Sequence, residues 1–433
     1  MLSSMGVQPL SNSTKRQTRS KQLFVWFALA AAIACGIALR LVHYGDVTSR
    51  SPDERTYTYR AQLILDGGLR QLRPVFANYV SNSDNWIQPP PTRVGHLLAF
   101  AAMMKIRAVR DFSAGSLVSL LASILSLLLV AWTGVRFFNP WVAAGATTFM
   151  AFSVGELGMS RRAWGDSFFG FISLVILYLA CEITRSPRRV FLYPLFIAVG
   201  TYAMLTKETS SMSYGICGLW VFGVLLWKER LWKSAALMAA GGLVSIAATL
   251  AVWAVAAGSL SGALSVLGDV QVDSQWSRLN TGGPWYQFGY LLWLVGPLTA
   301  AMALTGVALA VLPAKIRTRV IPETGALDLL TTRLATLIAV SFVLFASFVG
   351  ELQYLRIISP ADGPYCLLAG IGLWILLSIA RQFLSVDDFK ALVLAAVFAV
   401  VIEGLMDYRT FTVVVRSGME DLTALWIRGA LGR

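Results

Sequence analysis

Apolar residues in this chain come in long unbroken runs, without the strict alternation of a half-buried strand. Run after run approaches the roughly 20 residues an α-helix needs to cross a bilayer. Hydrocarbon admits only helices and closed barrels, and continuous runs exclude the alternating pattern of a barrel. The pattern predicts an all-α polytopic integral membrane protein with about 11 transmembrane helices, over 22–42, 112–134, 140–158, 168–184, 190–206, 209–227, 235–257, 287–310, 335–351, 359–380 and 391–403.

Polar positions set the organisation. Residues 1–21 predict a disordered basic tail on the cytoplasmic side, because Lys15, Arg16, Arg19 and Lys21 precede the first span. With no small-residue cleavage site after that span, the segment is expected to stay as an anchor. A long first outer loop covers about 43–111. Its apolar segment 92–106 is short for a span. Were it to cross, the basic loops at 185–189, 228–233 and 313–319 would all face outside, so it is expected to lie along the membrane as a juxtamembrane helix. Residues 22–403 then form one transmembrane catalytic domain, and 404–433 form a C-terminal tail on the outer face. No 20–50-residue repeat is apparent.

Composition agrees. Hydrophobic residues make up 56% of the 433-residue chain and charged residues only 14%, against about 25% charged in soluble domains. Net charge is +13, but the cations cluster in short loops, which excludes a nucleic-acid-reading surface. The four cysteines, Cys35, Cys181, Cys217 and Cys366, fall within apolar runs and read as small buried hydrophobes.

Two adjacent acids follow the first span, in "SRSPDERTYTYRAQ". Ser51 is placed as N-cap, Pro52 at the first helical position and Glu54 to complete a capping box, with Asp53 favouring the same helix end. That helix sets Asp53, Tyr57, Arg60 and Ile64 on one face. With Glu54 occupied as cap, Asp53 is the one available to take a proton from an acceptor hydroxyl.

The acids and several later segments resemble the GT-C superfamily of membrane glycosyltransferases, in the branch of protein O-mannosyltransferases and the lipid A aminoarabinose transferase. The segments, in order, are "QPPPTRVGHLL", "MSRRAWGDSFFGFISLVILYLACE", "AMLTKETSSM" and "QYLRIISPADGPYCLLAGIGL", and the likeness runs from about residue 25 to 380. It implies a sugar transferred from a polyprenyl-phosphate donor to a hydroxyl of a glycan, lipid or protein, with inversion, at the outer face of the cytoplasmic (inner) membrane. Asp53 would be the base and Glu54 its cap or supporting partner. Asp166 would orient an acceptor or a cation, and Lys207 and Arg356 would contact the donor phosphate. Tyr57, Arg60, Arg162 and Tyr354 accompany them.

Structural alternatives stand beside these roles. Asp166 could pair with Arg161 or Arg162, Lys207 with Glu208, and Arg356 could be an interfacial anchor. No cofactor is required on this view. A divalent cation held by His43 and His96 with Asp53, Glu54 and Asp166 is the alternative, though no HxxxH or HxH spacing supports it. Tyr57, Tyr59, Trp86 and Trp285 are expected in the interfacial aromatic belt. The competing functions are a flippase or transporter of polyprenyl-linked sugars, which predicts broken spans in matching halves, and a polysaccharide ligase or polymerase.

Overall fold

The computed structural model describes residues 12–42, 44–45, 50–85, 88–273, 295–313, 315–316, 328–348 and 359–414. Among them are α-helices, short 3-10 and π turns, and no strand. In chain order the helices are α1 (Asn12–Leu41), α2 (Pro52–Gly67), α3 (Arg73–Ser81), α4 (Val94–Arg107), α5 (Phe112–Phe137), α6 (Pro140–Phe152), α7 (Val154–Met159) and α8 (Asp166–Arg185). They continue with α9 (Leu192–Thr206), α10 (Ser210–Gly223), α11 (Trp232–Ala257), α12 (Leu260–Asp273), α13 (Pro297–Val311), α14 (Leu329–Phe348), α15 (Ser359–Phe383) and α16 (Val386–Val414).

Among the described residues, every predicted span coincides with helical structure, 140–158 with two helices in place of one. Seven of the described helices are long and apolar enough to cross a membrane, and shorter apolar helices cover 192–206, 297–311 and 329–345. Helices α1, α11 and α16 expose large apolar side chains such as Phe27, Leu243 and Leu394, a surface suited to lipid. This is a multi-pass membrane protein. Two boundaries differ from expectation. Helix α1 begins at Asn12, inside the tail expected to be disordered, and α16 runs through residue 403 to Val414.

The predicted span 140–158 is also broken. Helix α6 stops at Phe152, and Ser153 caps α7, its Oγ accepting from the Glu156 amide at 3.3 Å. Ending a helix frees carbonyls, and within a membrane these need a donor. Arg40, fully buried, supplies it, donating to Met150 O at 3.0 Å and Ala151 O at 3.3 Å. Its Nε reaches Ser123 Oγ at 2.8 Å, and Ser123 in turn donates to Glu156 at 2.7 Å. Two short helices in place of one are thus stabilised by one buried guanidinium.

The main core gathers α5, α6, α8, α9, α10 and α13–α15. Helix α15 packs against α6, α8, α13 and α14. Small residues permit the approach: a Cβ on Gly370 would meet Ala146 N at 2.7 Å, and one on Gly306 would collide with Leu368 O. A second core lies beside it. There α2, α3 and α4 pack with α12 and the end of α11 around Tyr57, Phe76, Leu97, Phe100 and Trp253. The expected polar loop 43–111 is therefore largely a folded module, and at 14 residues α4 spans only ~21 Å, too short to cross.

Candidate active site

The site forms where the two cores meet, at the starts of α2, α4 and α8 and the end of α9. The capping box is present: Ser51 Oγ accepts from the Glu54 amide at 3.3 Å, and Glu54 Oε2 accepts from the Ser51 amide at 2.9 Å. Glu54 does more than cap. Its Oε1 accepts from Arg50 at 2.9 Å and from the Ala163 amide at 2.8 Å, and its Oε2 also accepts from Arg162 at 3.1 Å. Four donors nearly saturate a buried carboxylate, and such a group holds structure together. Trp164 Nε1 donates to Ser51 Oγ at 2.8 Å, and the Arg162 guanidinium lies 5.0 Å from the Trp164 ring centre. The segment ending in Gly165 is thereby tied to the start of α2, and the next residue is Asp166, the first of α8.

Asp53, beside Glu54 on the same turn, is only partly buried. Behind it Tyr57 and Arg60 are each 3% exposed and Ile64 is buried, so the expected face of α2 is the inward one. Tyr57 is accordingly no belt residue. Its hydroxyl accepts from Arg93 at 2.6 Å, and its ring stands edge-on to His96 at 4.9 Å. Burial pushes the phenol up to about 12; Arg93 opposes this, while Asp53 and Asp166 reinforce it. Tyr57 therefore lies within electrostatic reach of both acids. Tyr59 is 57% exposed, and Trp86 and Trp285 lie outside the described residues.

Asp166 pairs with Lys207, Nζ to Oδ1, at 2.7 Å. Both side chains are buried, and the ammonium also lies 5.2 Å from the Phe169 ring centre. The alternatives open in the sequence resolve in space. Arg162 donates to Glu54, and Arg161 to Leu39 O at 2.6 Å and Val42 O at 2.7 Å. Glu208 turns from Lys207 to Arg93 Nε at 3.2 Å and to the Thr92 hydroxyl. Burial opposes charge on both partners, but Tyr57 and Glu208 hold Arg93 above its ordinary value, and Arg93 and Thr92 hold Glu208 below the usual carboxylate range.

His96 is fully buried between Tyr57, Phe100 and Phe168. Neither ring nitrogen has a partner, although the Ala163 backbone faces the ring short of hydrogen-bond geometry. Burial pushes the imidazole down to about 4, with Asp166 resisting and Arg93 and Lys207 assisting.

The structure thus brings together Asp53, Glu54, Tyr57, Asp166 and Lys207, with Arg162 in support and Arg60 one turn further along α2. It adds Arg93, which sequence reasoning did not assign to this site, and gives new settings to His96, considered there only as a cation ligand, and to Glu208, considered only as a partner of Lys207. The available signal was an arginine and a histidine opening an apolar helix directly after three prolines. Tyr354, Arg356 and His43 lie outside the described residues. Among the described residues no three His, Cys, Asp or Glu side chains are grouped to hold a metal ion.

No family model matches the sequence, and no curated protein sequence matches it. Solved structures do match, over nearly the whole chain. ArnT from Cupriavidus metallidurans bound to undecaprenyl phosphate aligns with a TM-score of 0.56 at 15% identity, covering 90% of this chain and 73% of ArnT. The Archaeoglobus fulgidus oligosaccharyltransferase in its apo form aligns with a TM-score of 0.59 at 10% identity, covering 90% of this chain and 56% of its own. The same protein, AglB, in complex with an inhibitory peptide and a dolichol-phosphate, gives 0.50 at 11% identity, with 93% and 56% covered. This chain spans little more than half the length of the oligosaccharyltransferase. Its fold is the GT-C fold of polytopic membrane glycosyltransferases.

Proposed function

We propose that this protein is a glycosyltransferase that moves a sugar from a polyprenyl-phosphate donor to an acceptor hydroxyl, at the outer face of a cytoplasmic membrane. One observation carries the reading: Glu54 fastens the helix start bearing Asp53 to the segment leading into Asp166, and Asp166 holds the Lys207 ammonium. The carboxylate proposed as base and a buried cation are thereby carried by segments tied to one another. The GT-C fold supports it, as do neighbours solved with undecaprenyl phosphate and dolichol-phosphate.

The chemistry follows from these roles. Asp53 takes the proton of the acceptor hydroxyl as its oxygen attacks the anomeric carbon. The bond from that carbon to the phosphate oxygen breaks, and its electron pair leaves on polyprenyl phosphate. Lys207, with Arg356, neutralises the growing charge, which is where preorganised cations are worth most. Asp166 keeps the ammonium in place. One displacement inverts the anomeric centre. Lys207 is a buried cation at the end of α9, a setting where charge is costly and marks function.

The test is release of free polyprenyl phosphate by purified protein offered a panel of polyprenyl-phosphate sugars with membrane extract as acceptor. Wild type should release it from at least one donor. Asp53→Asn should be folded and at least ~100-fold slower, the lower end of what a general base contributes. Full activity in a folded Asp53→Asn, or no release by wild type from any donor, would overturn the proposal.

A further inference from the structure

Along α2, Arg55, Thr56, Tyr59 and Arg60 face α3 across a cavity of about 520 Å³. That lies within the range of small-ligand sites. The opposite wall carries Tyr79 and the amides of Asn78, Asn85 and Gln88. Two guanidiniums line this space, and among the described residues no carboxylate does.

Arg60 is the informative residue. It is 3% exposed, one of its N–H groups donates to Pro89 O, and among the described residues no carboxylate forms an ion pair with it, Asp53 acting on it only at longer range. A buried cation with no anion in contact is expensive, and it recovers that cost when an anion arrives. Its planar fork suits a carboxylate or a phosphate, which it can grip with two parallel bonds. The other lining groups suit a sugar: amides donate to and accept from ring hydroxyls, and phenol rings present flat apolar faces with a polar rim. Position matters too. Arg60 follows Asp53 by seven residues on one helix, about 10 Å along its axis, or about two sugar units.

We propose that this cavity between α2 and α3 grips an acidic sugar, bearing a carboxylate or a phosphate, one or two units from the hydroxyl that Asp53 activates. The acceptor is then an anionic glycan. The assignment rests on the transferase reading for its role, and the binding itself can be tested separately.

The full chain, purified in detergent, would be titrated by calorimetry with a glucuronate-bearing disaccharide, the same disaccharide with its carboxylate reduced to an alcohol, and the corresponding sugar phosphate. At least one acidic probe should bind tenfold or more tightly than the neutral one, and the tighter of the two identifies the acid. Arg55→Gln and Tyr59→Ala alter exposed side chains, so both should melt as wild type does. Each should weaken the acidic probe at least threefold. Equal affinity for acidic and neutral probes, no binding of any probe, or wild-type affinity in both variants overturns the inference. Selective binding without polyprenyl phosphate release by wild type would sink the transferase reading and leave the pocket; release without selective binding would do the reverse.

Discussion

Lys207 and Asp166 meet at 2.7 Å, with both side chains below one-tenth exposure. Each is the costliest kind of group to leave alone in such a place, so neither should be removable without penalty to the other. Single changes, Lys207→Met and Asp166→Asn, should each destabilise the protein, and the double variant should lose less than their sum. A coupling energy of ~0.5–3 kcal/mol in unfolding measurements is expected. Additive losses would mean that the pair does not act as a unit. For catalysis Lys207→Met should lower donor turnover ~100- to 1,000-fold, the effect of deleting one preorganised donor to a developing anion.

Glu54 should behave differently from its neighbour Asp53. Glu54→Ala strips the Ala163 amide and the Arg162 guanidinium of their acceptor and leaves a buried cation behind. The loss should be ~3–5 kcal/mol, seen as a lower melting temperature. Asp53→Asn should melt near wild type. If the two variants melt alike, Glu54 is not the fastening described above.

His96 gives a pH dependence. Its ordinary value of 6.5 applies to the unfolded chain, against about 4 in the folded protein. The unfolded chain therefore takes the proton first. Stability from keeping the ring neutral is complete above pH 6.5 and drains away as pH falls toward 4, costing about 2 kcal/mol at pH 5. His96→Phe removes this titration, so its melting temperature should fall less than that of wild type between pH 7.5 and 5. Parallel pH profiles would contradict a buried neutral imidazole.

Gly95 sits where α4 crosses the end of α9. A Cβ there would lie 2.8 Å from Thr206 Oγ1 and 3.0 Å from the backbone of Leu205 and Thr206. Gly95→Ala must push α4 away from the turn that carries Lys207, at ~1–3 kcal/mol. Donor turnover should fall more than stability explains. A variant with wild-type turnover and melting would show that the crossing tolerates the methyl group.

By itself the sequence determined the class of the protein and its local devices. Run length and hydropathy make each membrane helix, because in hydrocarbon a segment must satisfy its own backbone. The capping box of α2 was legible for the same reason: Ser51, Pro52 and Glu54 act within one turn. Spacing along one helix also set Asp53, Tyr57, Arg60 and Ile64 on one face of α2, while packing decided that this face is the inward one. What the tertiary structure decided was which charge meets which. Asp166 finds Lys207 across 41 positions, Glu54 finds Arg162 across 108, and Glu208 finds Arg93 across 115. The arginines four and five positions before Asp166 and the lysine next to Glu208 had offered closer partners in sequence. The break at Ser153 likewise needed a guanidinium from α1, 110 residues away, to donate to the freed carbonyl of Met150. Ion pairs and helix ends in a dry interior are settled by which elements pack together, and no pattern within a short window carries that information.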